Sequence, residues 1–199
     1  MSINNYLTNL QNELYVNGTE REKIRKSIDT ISSRMNMYFG IGKNCEHRIV
    51  KKEIFGSYSR DTMLSRRYDE KSDVDYMIVF ENANQYNPQT CLNWLKGFAE
   101  YWYSTSIVKQ SLPTIVIELE NIKFELVPAY ETLWGTKYIV LDTSSWQYTN
   151  PKELNDKMLD VNNNTSRIEK AKEYIQSAKG YENSGYSSLA EDQIKKIFE

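Results

Sequence analysis

One stretch near the middle of the chain, Ser72-Asp73-Val74-Asp75-Tyr76-Met77-Ile78-Val79-Phe80, constrains the fold more than any other. The apolar run has the length and composition of a buried strand, and two acids two positions apart stand at its mouth. Strand alternation turns both carboxylates to one face and sends Val74 to the other, into the core. Two like charges on one face of a buried strand are costly without a cation. The chain must therefore build a sheet with a cation-demanding spot at one strand end.

Just upstream stands Phe55-Gly56-Ser57-Tyr58-Ser59-Arg60-Asp61-Thr62. Gly56 can adopt positive φ and bring backbone close to a phosphate, while the Ser57 hydroxyl and neighbouring amides donate to its oxygens. A third acid, Glu125, lies in Lys123-Phe124-Glu125-Leu126-Val127, a lone carboxylate alternating with Phe124 and Leu126. Mg²⁺, or Mn²⁺, would suit Asp73, Asp75 and Glu125 as a set of hard oxygen ligands, and two such ions could bridge a nucleoside triphosphate and activate a hydroxyl. Taken singly, a GS pair is usually a turn, a DxD pair usually a surface or capping feature, and a strand glutamate usually exposed. Their joint order is what carries weight.

Around this centre the periodicity predicts a helix over Thr19 to Phe39, with Ile24, Ile28, Ile31, Met35 and Tyr38 on one face, a capping box from Thr19 and Glu22, and Gly40 and Gly42 ending it. Ile49 to Phe55 reads as strand or turn. Pro88 to about Ser106 reads as a second amphipathic helix, started by Asn87 or Thr90. Thr114 to Leu119 and Ile122 to Val127 read as a hairpin around Glu120-Asn121, closed by Pro128. Beyond Asn150 the pattern is helical and weaker, with a break over Asn162 to Asn164 and a final helix over Ser187 to Phe198. The expected division is a core over 1–150 and a helical segment over 151–199.

The 199 residues carry 25 basic and 27 acidic groups, a net charge of −2, so there is no strong sign of nucleic-acid binding. Cys45, Cys91 and the single histidine, His47, lack metal-ligand spacing, which disfavours zinc and disulfide frameworks. No apolar run approaches a membrane span, and the expectation is a soluble, cytoplasmic protein. The absence of GxxxxGK[ST] and GxGxxG disfavours P-loop and Rossmann enzymes. Tyr58, Tyr76 and Tyr130 could stack on a base, though aromatic residues near strands are more often core. Trp94 and Trp102 read as core packing, His47 as an exposed loop residue, and Arg66-Arg67 as part of a solvated loop whose arginines could reach a phosphate or a partner.

The string from Phe55 to Phe80 resembles the core of the DNA-polymerase-β-like nucleotidyltransferase superfamily, as shared by cyclic GMP-AMP synthase, oligoadenylate synthetases and the bacterial cGAS/DncV-like enzymes. It looks nearest to the SMODS-type bacterial enzymes, which tolerate a similarly long loop between GS and DxD. The likeness continues through Phe124-Glu125-Leu126-Val127-Pro128-Ala129 to Trp146 and Thr149-Asn150-Pro151, covering roughly Arg21 to Lys179. It implies an α/β (α+β) fold with a mixed, largely antiparallel sheet, a long N-terminal helix across it, a partial C-terminal helical lobe, and an active site in the cleft between them. It implies Mg²⁺ on Asp73, Asp75 and Glu125 and the triphosphate on Gly56 and Ser57. Arg60 and Thr62 would give support, and Lys172, with Lys179 as the alternative, would meet the phosphates.

The implied function is transfer of a nucleoside monophosphate from a triphosphate to a hydroxyl, making a cyclic or linear oligonucleotide signal in anti-phage defence. The residues leave the acceptor open: a protein, an RNA or a small molecule would suit the same acids. A non-catalytic nucleotide-binding module is the remaining alternative. It is motivated by a chain that stops at Glu199, where these enzymes generally continue into a larger helical lobe, the three readings being a truncated chain, a short member or a degenerate copy. Nucleoside triphosphates are the expected ligands, and no protein partner is indicated.

Overall fold

A computed structural model describes residues 3–40, 47–162 and 165–196. The elements run α1 (Ile3–Leu14), α2 (Gly18–Gly40), β1 (Ile49–Phe55), a single turn α3 (Gly56–Ser59), β2 (Asp73–Phe80), α4 (Pro88–Trp102), β3 (Ile107–Ser111), β4 (Thr114–Glu118), β5 (Lys123–Glu131), β6 (Lys137–Val140), β7 (Trp146–Thr149), α5 (Pro151–Asn162), α6 (Thr165–Asn183) and α7 (Ser187–Lys195). The chain divides into two compact units, one of residues 9–151 and one of residues 1–8 with 152–199. None of the described helices is long and apolar enough to cross a membrane.

In the larger unit a seven-stranded sheet runs β1-β2-β5-β4-β3, with β6 and β7 continuing beside the far end of β5. All neighbours are antiparallel except β2 and β5, which run parallel with Asp73 opposite Lys123 and Asp75 opposite Glu125. The mixed, largely antiparallel sheet inferred from the sequence is therefore present. Alternation splits β2 as its sequence dictates. Val74, Tyr76, Ile78 and Phe80 join the main core with Ile24, Ile31, Met35 and Phe39 of α2 and Leu92, Leu95 and Phe98 of α4. Met77 and Val79 form a small second cluster with Ala129. The Lys52 ammonium on β1 donates to Ser32 and Asn36 of α2, fixing that helix against the sheet.

Several local expectations are corrected. Asn17, rather than Thr19, caps α2: its Oδ1 accepts from the Glu20 amide at 2.9 Å. Asn87 caps α4 the same way through Gln89. The strand after the hairpin does not stop at Pro128. It runs on to Glu131: Pro128 falls between the β4 pairing that ends at Leu126 and the β6 pairing that begins at Ala129, while β2 continues beside it with Ile78 opposite. The short strands β3, β6 and β7 carry no clear period, whereas α1 was passed over although Ile3, Tyr6, Leu7, Leu10 and Leu14 recur at helical spacing. His47 is half-buried and stacks on Trp94 at 3.9 Å rather than lying free. Tyr76 is buried and cannot meet a base. Gly42 and Cys45 lie outside the described residues, as do Asn163, Asn164 and the last residues of the expected final helix.

In the smaller unit α6 and α7 pack on each other, and Ala178 and Ala190 are buried. Small side chains at such positions allow close helix approach.

Candidate active site

The site begins where β1 turns into α3. Gly56 has φ of +70°, a conformation that disfavours any side chain. A Cβ built there would lie 1.8 Å from Asp75 Oδ2. The turn and the second acid of the DxD pair thus occupy adjoining space, as Phe55 lies opposite Asp75 in the β1–β2 register. Ser57 follows at the start of the turn. Thr62 closes it: its amide and hydroxyl both donate to the Ser57 carbonyl, at 3.0 and 3.3 Å. Thr62 therefore holds the turn closed.

Between Thr62 and Ser72 the segment is anchored. Met63 and Ser65 are buried, Leu64 bridges to Tyr15, and the Ser65 amide donates to the Leu14 carbonyl. Arg66, read from sequence as solvated, donates its guanidinium to the carbonyls of Glu70 and Leu119. Asp61 adopts φ of +57°, and its carboxylate is held at 2.7 Å by Arg21, which also reaches the Tyr15 hydroxyl. Sequence reasoning passed over this Arg21–Asp61 pair, which links residues forty positions apart.

The parallel register brings the three acids to one end of neighbouring strands. Asp75 and Glu125 sit opposite one another on β2 and β5, and Asp73 stands one pleat before Asp75 on the same face. Burial, and then the neighbouring Asp73 and Glu125, push the Asp75 carboxyl up to about 6, with Arg60 and Lys123 pulling the other way. Thr114 lies 3.5 Å from Glu125 Oε2. The Arg60 Nε is buried without a hydrogen-bond partner among the described residues, leaving a donor beside the acids.

Sequence reasoning missed Lys123. Its ammonium lies 2.8 Å from Asp73 Oδ2 and 3.0 Å from Glu125 Oε1. Burial lowers its basicity, but the bonds to the two carboxylates outweigh that and the net shift is upward. The signal was available, because a residue two before Glu125 on a strand shares its face. Among the described residues no group of three acid, histidine or cysteine side chains is close enough to hold an ion, and the Lys123 ammonium sits on oxygens of two of the acids. The cluster nonetheless fits a divalent cation in kind: it offers hard oxygens, it is partly desolvated, and it already draws in a cation.

Lys172 does not join this group within the larger unit. It lies exposed on α6 in the smaller unit, and Lys179 on the same helix is half-buried.

Residues 1–162 match the model of the Second Messenger Oligonucleotide or Dinucleotide Synthetase domain. No curated protein matches the sequence significantly. Among solved structures, the chain is similar to the CD-NTase CdnG of Bradyrhizobium diazoefficiens in complex with GTP, at 14% identity and a TM-score of 0.59 over 72% of this chain and 43% of that one. It is similar to the Vibrio cholerae DncV apo form, at 12% identity and 0.57 over 85% and 61%. It is also similar to the CdnE cyclic dinucleotide synthase of Elizabethkingia meningoseptica with GTP and Apcpp, at 17% identity and 0.55 over 83% and 63%. The chain spans less than two thirds of each of these proteins.

Proposed function

Because this chain belongs to the family of Second Messenger Oligonucleotide or Dinucleotide Synthetase domains, we propose that it transfers a nucleoside monophosphate from a triphosphate to a nucleotide hydroxyl, producing an oligonucleotide or dinucleotide signal. The observation that carries this reading is the contact of the Gly56 turn with Asp75, which joins a phosphate cradle to the acid cluster in one place. A turn that only reversed the chain would have no need of a glycine against a desolvated carboxylate.

In this reading Gly56 and Ser57 bind the triphosphate, with Arg60 donating to it and Thr62 holding the turn. Asp73, Asp75 and Glu125 hold Mg²⁺ or Mn²⁺, which when bound neutralises charge building up on the phosphoryl oxygens. Glu125 lies nearest the incoming hydroxyl and helps remove its proton. That oxygen then bonds to the α-phosphorus as the bond to the leaving pyrophosphate breaks. The signal so made would serve defence against phage.

The test is turnover of the four ribonucleoside triphosphates, singly and mixed, with Mg²⁺ or Mn²⁺, following pyrophosphate release and resolving products by mass spectrometry. A cyclic or linear oligonucleotide made by the intact chain and absent from an Asp73→Ala/Asp75→Ala variant is the expected result. Metal-dependent nucleotide binding without pyrophosphate release would overturn it in favour of a binding module.

A further inference from the structure

The acid cluster carries its own counter-charge. Lys123 opens β5 one pleat before Glu125, and the parallel register sets it beside Asp73, so a single ammonium is shared by carboxylates from two strands. The side chain is only 19% exposed, well below what a lysine at a strand start ordinarily shows. On the other side of β5, Glu118 stands opposite it in the register with β4.

We propose that Lys123 is a positioning residue acting as a built-in, displaceable cation: its ammonium holds Asp73 and Glu125 together before metal arrives, and a divalent ion binds by taking those oxygens over. This rests on the reading of Asp73, Asp75 and Glu125 as metal ligands and gives a role to a residue that reading leaves idle. Three carboxylates gathered on one partly buried face repel each other, and a cation among them relieves that repulsion. An ammonium on a flexible four-carbon stem can leave without moving the backbone, unlike a second strand or a helix end. Lysine and metal ion compete for the same oxygens, and if both remain nearby they repel. Metal affinity is then set below what the three acids alone would reach. A lysine that merely scaffolds the acids has the opposite signature, since its loss would scatter the ligands and weaken binding.

The experiment is Mn²⁺ binding to the full chain without nucleotide, by titration calorimetry and by the electron paramagnetic resonance signal of free Mn²⁺, for wild type, K123M, K123Q, K123R and D75N. Thermal melting is followed with and without the ion. K123M is expected to bind Mn²⁺ about tenfold more tightly or better, and K123R, which keeps the charge, within about threefold of wild type. K123M should melt below wild type without metal, and the gap should close at saturating Mn²⁺. K123Q carries the same comparison should K123M fail to fold. Equal or weaker binding by the neutral variants, with wild type binding and D75N not, overturns the lysine's role while leaving the metal site standing. Absence of Mn²⁺ binding from every variant, K123M and K123Q included, overturns both.

Discussion

Gly56 shows how much can depend on a missing side chain. A methyl group there would sit inside the Asp75 carboxylate, on a backbone of positive φ. Gly56→Ala should cost at least about 1–2 kcal/mol from the left-handed backbone alone, with the clash added. It should also lower turnover by about 100-fold or more through displacement of Asp75; a denaturant melt and a pyrophosphate assay would measure the two losses. Asp75 offers a sign that can be checked. Its carboxyl is raised in the folded state, so the folded chain holds a proton that the unfolded chain has released between the ordinary carboxylate range and about 6. Stability therefore falls as pH rises through that window, and the penalty is fully present above it. Asp75→Asn should raise the melting temperature of the metal-free protein at pH 8, lose that advantage near pH 4, and be inactive throughout. An equal gain at both pH values would show that its charge is not what strains the fold. Asp73, Asp75 and Gly56 were legible because a DxD before an apolar run and a GS pair each have a local physical reason. Lys123 was passed over, since a lysine opening a strand ordinarily reads as solvated; its nearness to Glu125 follows from alternation, but its second partner, Asp73, lies on a strand fifty residues away.

At the level of elements, what the sequence revealed depended on period. The helix α2 and the helix α4 announce themselves through apolar positions three and four apart, and both pack where their faces predict. Phe98 of α4 has the rings of Tyr38, Phe39 and Tyr103 around it, their centroids 5.7 to 6.1 Å from its own. Phe98→Ala should cost about 3–5 kcal/mol in a denaturant melt, the ordinary range for emptying a buried aromatic site. By contrast Trp134, 93% exposed between β5 and β6, should change stability by less than about 0.5 kcal/mol when replaced by alanine. The short strands β6 and β7 escaped notice because four residues rarely establish alternation. Tyr138 and Tyr148 draw their place from cross-strand partners rather than from local pattern: Tyr138 stacks on Tyr130 at 5.0 Å and lies edge-on to Tyr148.

For the whole molecule, the main core lies entirely within residues 9–151, from Val16 to Trp146. A fragment of those residues should fold by itself and melt as one cooperative transition by circular dichroism, since its buried sheet and two long helices form a complete hydrophobic interior. A broad, non-cooperative loss of signal would mean that the remaining residues are needed to complete it. The parallel pairing of β2 with β5 has a further consequence, for the order of events during synthesis. The strands that carry Asp75 and Glu125 are separated by a helix and a hairpin, and none of their shared bonds can form until the second of them has left the ribosome. Long-range parallel pairing of this kind closes late, because the loop must be fixed before any contact rewards it. A nascent chain arrested before Glu125 would hold Asp73 and Asp75 without the strand that carries the third acid, so the cluster is assembled only when the sheet is shut.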